Sequence, residues 1–438
     1  MTKARLIPVS FPNGRDRDFD AQLTTLRELL RDEAEFLPEA VLGSPLADAD
    51  AALFPQLLGE GYRKVAEFQL PIPALILTSE FGTMSMWDWE LCTYLKSSGV
   101  KVIAPYTLEQ AKTVCRALGV KRQLTQTRFL VFQDNPGEGH QASIFKRFYW
   151  WEDECSQRIF DKFGVEIVRK SFKELGERAR NMPDADVQQA AGNASVKTIE
   201  TSPRAVNSAL KMYLAVKQEL DQDPTVRAVG INCLNESHFS DTTPCLAWNL
   251  LFEERRVIWG CEADTMSMLT KYILYHSIRA PIMMTNMYPF LMGQAALKHE
   301  RISNFPDIAE GENCVLVAHC GYLGVLPVSF STEWNLRPKV LRIVDDNATA
   351  IDARMATGPI TLVKLGPTLE SLTAAEGKLE GYAQYPGSDC RNGGIVRIAS
   401  GHRLMTRLPS HHALLMAGHH AADLENIGTV FDFRIDPI

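Results

Sequence analysis

Short apolar runs separated by amphipathic stretches dominate the first third of the chain. Ala74–Thr78 (ALILT) predicts a buried strand, with Pro71 and Pro73 lying before the run rather than inside it. A loop, FGTMSM, follows, and the pattern from about Trp87 to Lys96 predicts an amphipathic helix. Val100–Ile103 reads as a strand, Leu108–Leu118 as a helix and Phe129–Phe132 as a further strand. Apolar runs alternating with helices in this way signal a parallel sheet covered by helices. The expectation is a doubly wound α/β domain over residues 1–138.

The turn-rich NPGEG stretch at 135–139 marks the next boundary. A helix is expected from about Phe145 to Phe163, then strands at Val165–Val168, Val226–Ile231, Val257–Trp259 and Pro281–Met284 with helices between them. This predicts a second α/β domain over 139–310, ending in the acidic connector DIAEGEN. From Cys314 the runs become short and turn-punctuated: CVLVAHCG, KVLRIVDD, PITLVKLG and GIVRIAS. Their spacing predicts a β-rich third domain, barrel or sandwich, over 311–438, closed by a helix at about His420–Ile427. The fold class expected is therefore two doubly wound α/β domains followed by a β-rich C-terminal domain.

Composition narrows the classes of function. The chain has 438 residues, long enough for two or three domains. Its 46 basic and 53 acidic residues give a net charge of −7, which invites neither nucleic acid nor an anionic membrane. No run approaches the roughly 20 apolar residues of a membrane helix, and the N-terminal apolar run is broken by Pro8 and Pro12. The 9 cysteines form no C-x-x-C pair, which fits reduced thiols in a cytoplasmic protein and disfavours a cysteine zinc site. Neither G-x-G-x-x-G after the ALILT strand nor G-x-x-x-x-G-K-[ST] occurs, so nucleotide chemistry is disfavoured.

Carboxylates and histidines carry the candidate chemistry. Glu236 follows the strand VRAVGINCL, and Glu262 and Asp264 follow VIWGC. In α/β sheets, ligands bind outside these carboxyl strand ends, and two such ends could hold a cation between them. The bland alternative makes the same acids helix caps or surface pairs. His411, His412, His419 and His420 lie in the apolar segment HHALLMAGHH, and neutral imidazole is a common metal ligand. His319 ends the strand CVLVAHCG. Cys320 beside it should point to the opposite strand face, so a hydrogen-bonded Cys/His pair is not expected. The loop pair Trp87 and Trp89 could stack on a sugar, although aromatic residues are more often core.

The order of these elements resembles the L-fucose/L-arabinose isomerase family. INCLNE (Ile231–Glu236) and CEAD (Cys261–Asp264) resemble the fucose branch's I-K-C-x-x-E and T-E-[NA]-D strand ends. GENCVLVAHCG (Gly311–Gly321) is similar to the arabinose branch's G-N-D turn and V-L-x-x-H-M-L strand, and SHHALLMAGHH places His412 at the metal position of both. The likeness spans about residues 225–425, mixes the two branches, and implies a member shorter than most.

The resemblance implies a metal-dependent aldose–ketose isomerase working through a cis-enediolate. Glu236 and Asp264 would be ligands and acid/base groups, and His412 a ligand. Glu262 competes for the second carboxylate position, and His319, Glu262, His411 and Trp89 are the candidate substrate contacts. Mn2+ is the expected metal, with Mg2+ or Co2+ as substitutes. A small sugar is the expected partner, in a homo-oligomer with active sites near subunit interfaces. Two alternatives share the scaffold: a metal-dependent lyase or aldolase, and a non-catalytic sugar-binding protein.

Overall fold

The computed structural model describes residues 2–12, 14–79, 86–135, 149–193, 196–289, 308–384 and 392–438. The expected boundary at 136–139, the start of the helix expected from Phe145 and most of the FGTMSM loop lie outside them. Two compact units emerge: Met1–Gln126 with Ile273–Arg279 and His420–Ile435, and Thr127–Tyr272 with Ala280–His419 and Asp436–Ile438.

In the first unit, strands β1 (Ala4–Ser10), β2 (Ala34–Phe36), β3 (Ala40–Val41), β4 (Ala51–Phe54), β5 (Ala74–Ile76) and β6 (Val102–Ile103) pair in parallel. Their order is β2-β1-β4-β5-β6, with β3 also on β1. Ile7, Val9, Phe54, Ile76 and Val102 are buried on this sheet because parallel strands are covered on both faces. Helices α1 (Arg17–Leu29), α2 (Met86–Ser97) and α3 (Leu108–Leu124) belong to the same unit. Asp16 caps α1 by accepting from the Asp18 and Phe19 amides, and Thr107 caps α3 by accepting from Gln110 N. The last helix, Ala421–Phe431, lies here too: Lys121 of α3 donates to the Val430 carbonyl at 2.6 Å. Trp89 sits on α2 and is 57% exposed, so it contributes to no interior.

The second unit holds a parallel sheet and a barrel. The sheet comprises β7 (Arg128–Phe132), β8 (Glu166–Lys170), β9 (Val226–Ile231) and β10 (Ile258–Cys261), in the order β10-β9-β7-β8. The Phe129–Phe132 run, read from the sequence as the end of the first region, is thus a central strand of this second sheet. Its unbroken apolar character fits a strand with neighbours on both sides, but does not say which sheet supplies them. Helices α4 (Asp153–Phe163), α5 (Phe172–Arg180), α6 (Asp184–Asn193), α7 (Pro203–Gln222) and α8 (Cys245–Arg255) occupy the connections, and α9 (Thr265–Ile278) follows β10. Gly260 of β10 pairs with Gly230 of β9, and Met268 of α9 lies directly over both. A Cβ on Gly260 would meet Met268 Cγ at 2.5 Å, so this close approach needs glycine.

Strands β11 (Ile282–Pro289), β12 (Cys314–Ala318), β15 (Gly358–Leu365), β16 (Ser371–Ala383), β17 (Gly393–Ile398) and β18 (His412–Ala417) form the barrel, while β13 (Glu333–Pro338) and β14 (Thr349–Arg354) make a separate hairpin. The barrel order is β15-β18-β11-β12-β17-β16, every pair is antiparallel, and β16 pairs back onto β15. Closure removes the exposed edges of an open sheet. The Pro281–Met284 run, expected beside the parallel strands, opens barrel strand β11. A short apolar run carries no information about strand direction. KVLRIVDD forms no strand: Lys339 Nζ donates to Val344 O and Asn347 N to Asp345, which closes a turn instead.

Candidate metal centre

Three strand ends of the second unit converge on one buried point. Asn286 of β11 pairs with Ala318 of β12 on one side and with His412 of β18 on the other. This register row brings His319, which follows Ala318, within 5.7 Å of His412 between ring centroids. The third residue, Glu262, follows β10. It and Ala263 adopt left-handed backbone angles, with φ of 53° and 52°. Two consecutive non-glycine residues in this region store strain of roughly 1–3 kcal/mol each, a cost met mostly at functional sites. The Ala263 amide, donating to Ile231 O at 3.0 Å, and Trp151 Nε1, donating to the Glu262 carbonyl at 2.8 Å, hold the turn.

Glu262 Oε1 lies 3.6 Å from His412 Nε2 and 3.7 Å from His319 Nε2. These separations exceed a hydrogen bond. They match the spacing of donors held at about 2.0–2.2 Å around a tetrahedral cation, which is roughly 3.4 Å. Both Nε2 atoms are buried and have no hydrogen-bond partner among the described residues, so each leaves a polar need unmet. Among the described residues, Glu262, His319 and His412 form the group whose donor atoms approach closely enough to share an ion. A carboxylate and two imidazoles suit Mn2+, Zn2+, Fe2+ or Co2+.

Asp264 performs a different task from its neighbour. Its Oδ1 accepts from Ser267 N at 2.8 Å, the capping bond of α9, so the bland reading of this acid holds in part. Its Oδ2 is 2.9 Å from His412 Nδ1, 2.9 Å from Lys364 Nζ and 2.7 Å from Ser267 Oγ. With its oxygens engaged, Asp264 orients His412, fixing the proton on Nδ1 and leaving Nε2 bare. Lys364 is fully buried and also donates to Ser267 Oγ at 2.7 Å. The Trp150 ring stacks on His412 at 4.8 Å and blocks its other face.

Electrostatics follow from burial and these pairs. Burial alone would raise Glu262, but His412 and His319 hold it down at about 2. Asp264 likewise sits well below the usual carboxylate range: Lys364 and His412 overcome the cost of burial. His412 is shifted upward, since Glu262 and Asp264 outweigh its burial. His319 and His411, where burial dominates, fall to about 4 and about 3. His411 lies beside His412 with ring centroids 4.4 Å apart.

Glu236 is buried but lies outside the three-residue donor group. Its carboxylate accepts from the amides of Asp134, at 3.1 Å, and Asn135, beyond the carboxyl end of β7. Burial raises its pKa, the backbone donors opposing. The expected set of Glu236, Asp264 and His412 is thus brought together only in part; Glu262 and His319 take the positions facing His412. Lys364 was not singled out by the sequence, and Trp150 was read there as an aromatic residue more often found in the core. Cys320 corrects the expectation of opposite strand faces: β12 ends at Ala318, Cys320 has a φ of 53°, and its Sγ lies 3.0 Å from His319 Nδ1. The alternation rule fails because these residues no longer form a strand.

Neither a family model nor a curated protein matches this sequence.

Proposed function

We propose that this protein is a metal-dependent aldose–ketose isomerase, with Glu262, His319 and His412 holding a divalent cation, Mn2+ first. The observation that carries the reading is the pair of buried, unpartnered Nε2 atoms facing the Glu262 carboxylate at 3.6 and 3.7 Å. The resemblance of the strand-end motifs to sugar isomerases supplies the reaction class, and the facing of Glu262 toward His319 and His412 favours Glu262 over Asp264 as the second carboxylate ligand. A divalent ion bound there would supply Lewis-acid stabilisation to negative charge on the vicinal oxygens of an open-chain sugar.

The chain's own groups divide the remaining work. Isomerisation removes a proton from C2 of the aldose and returns one to C1. Glu236, buried and raised in pKa, is suited to hold a proton and to exchange it. Asp264 and Lys364 keep His412 oriented, and Trp150 shields its ring. A panel of aldoses with Mn2+, read by ketose formation and by deuterium exchange at C2, tests the reading. Exchange and ketose formation are expected; carbon–carbon cleavage products would assign a lyase, and binding without exchange a sugar-binding protein. A homo-oligomer is part of the same proposal, so sedimentation is expected to give an assembly larger than the chain; an active monomer would remove that part.

A further inference from the structure

The turn that joins β9 to Glu236 holds two amide side chains with nothing to bond. Asn232 and Asn235 are 0% and 1% exposed, and neither the oxygen nor the nitrogen of either carboxamide has a hydrogen-bond partner among the described residues. Buried polar groups are nearly always paired, because an unmet one forfeits its hydration for nothing. Four such atoms within four residues mark a place for a partner that the fold itself does not supply.

The backbone sets these amides between the two carboxylates, Glu236 and Glu262. Phe132, Ile231 and Cys261 form one register row across β7, β9 and β10, so Gln133, Asn232 and Glu262 follow it side by side at the carboxyl edge of the sheet. Paired strands lie about 4.8 Å apart, which makes Asn232 a near neighbour of Glu262. The Glu236 amide donates to the Asn232 carbonyl at 3.1 Å and closes a single helical turn. Residues three and four apart share a face of such a turn, so Asn232, Asn235 and Glu236 lie together. Gln133 Oε1, on the other side of Asn232, is buried and unpartnered as well.

The chemistry of the amides names the partner. A carboxamide donates and accepts without charge, as a hydroxyl group does. An anionic group would call for a cation, but the buried lysines are committed elsewhere: Lys364 donates to Asp264 and Lys271 to the Trp259 carbonyl. We propose that Asn232 and Asn235 recognise hydroxyl groups of an uncharged, open-chain polyol held between Glu236 and the cation. The inference rests on the reading of this site as one for a sugar, and adds the residues that read its hydroxyls. They set specificity, because a substrate lacking the matching hydroxyl would leave the amides unmet.

Calorimetric titration of five- and six-carbon alditols into Mn2+-loaded protein tests the assignment, since an alditol presents the hydroxyls but has no carbonyl to isomerise. At least one alditol is expected to bind the wild type, and to bind Asn232→Leu and Asn235→Leu about 10–100-fold more weakly. Mn2+ affinity should be unchanged, and urea unfolding should show stability held or raised, since each change replaces an unpaired buried amide with an apolar group of similar size. Alanine variants at both positions carry the same binding expectation if leucine disturbs folding. A deoxy alditol lacking the paired hydroxyl should bind the wild type as weakly as the parent alditol binds the variant, and lose little more in the variant; a merely structural role would make the two losses add. No wild-type affinity for any alditol, unchanged affinity at both positions, or losses that add would overturn the proposal. Alditol binding that depends on both asparagines, with no ketose formed from any aldose, would support it while removing the isomerase.

Discussion

Glu262 and Asp264 stand two positions apart and play opposite parts. Glu262 turns an oxygen toward two unpartnered imidazole nitrogens, whereas Asp264 has both oxygens occupied by Ser267, Lys364 and His412. Glu262→Gln is therefore expected to abolish Mn2+ binding, and Asp264→Asn to weaken it by about 10–100-fold, as loss of a ligand's orienting partner does. Titration calorimetry on both variants checks the ranking. Lys364→Met removes the buried lysine charge and leaves the Asp264 carboxylate with only His412 and Ser267 as partners. It should cost about 3–5 kcal/mol in urea unfolding. The histidines predict acid lability for the metal-free protein. His319 and His411, held at about 4 and about 3 by burial, resist protons that the unfolded chain accepts below about pH 6.5. Stability should fall as the pH drops from about 6.5 toward 4. His412, shifted upward, acts in reverse: its contribution is present below about pH 6.5 and lost as pH rises through its folded value. Thermal melts of chelator-treated protein between pH 4 and 8 are expected to show the acid-side loss, two lowered imidazoles outweighing one raised.

At the scale of elements, the approach of α9 to the parallel sheet depends on two paired glycines. Gly260→Ala would press a methyl into Met268, and is expected to destabilise the protein by roughly 1–3 kcal/mol, measured by urea unfolding. Much of this layer was legible beforehand, because apolar runs such as Val226–Ile231 and PITLVKLG announce strands by composition alone. What those runs do not encode is their partner. The Phe129–Phe132 run needed the register with Ala228 and Ile167 to reveal its sheet, and the Pro281–Met284 run needed its antiparallel pairing with β18. The site was legible to a similar depth. His412, Glu262 and His319 stand at strand ends where such chemistry collects, but neither Glu262 nor Ala263 is a glycine that would announce a left-handed turn. That turn decides which acid faces the histidines. Lys364 gave no sign, since a lysine in a strand ordinarily points to water and only the barrel's closure on Asp264 buries it.

On the scale of the whole molecule, the second unit joins two kinds of sheet so that a parallel strand end supplies the carboxylate and barrel strands supply the imidazoles. No helix among the described residues is long and apolar enough to cross a membrane. The central claim is that Glu262, His319 and His412 together hold a divalent cation. Calorimetric titration of Mn2+ into chelator-stripped protein tests it most directly. The predicted result is a single ion per chain, with binding lost in Glu262→Gln and His412→Ala and retained in Glu236→Gln. A wild type that takes up no Mn2+, or one whose binding survives the loss of Glu262 and His412, would contradict the account.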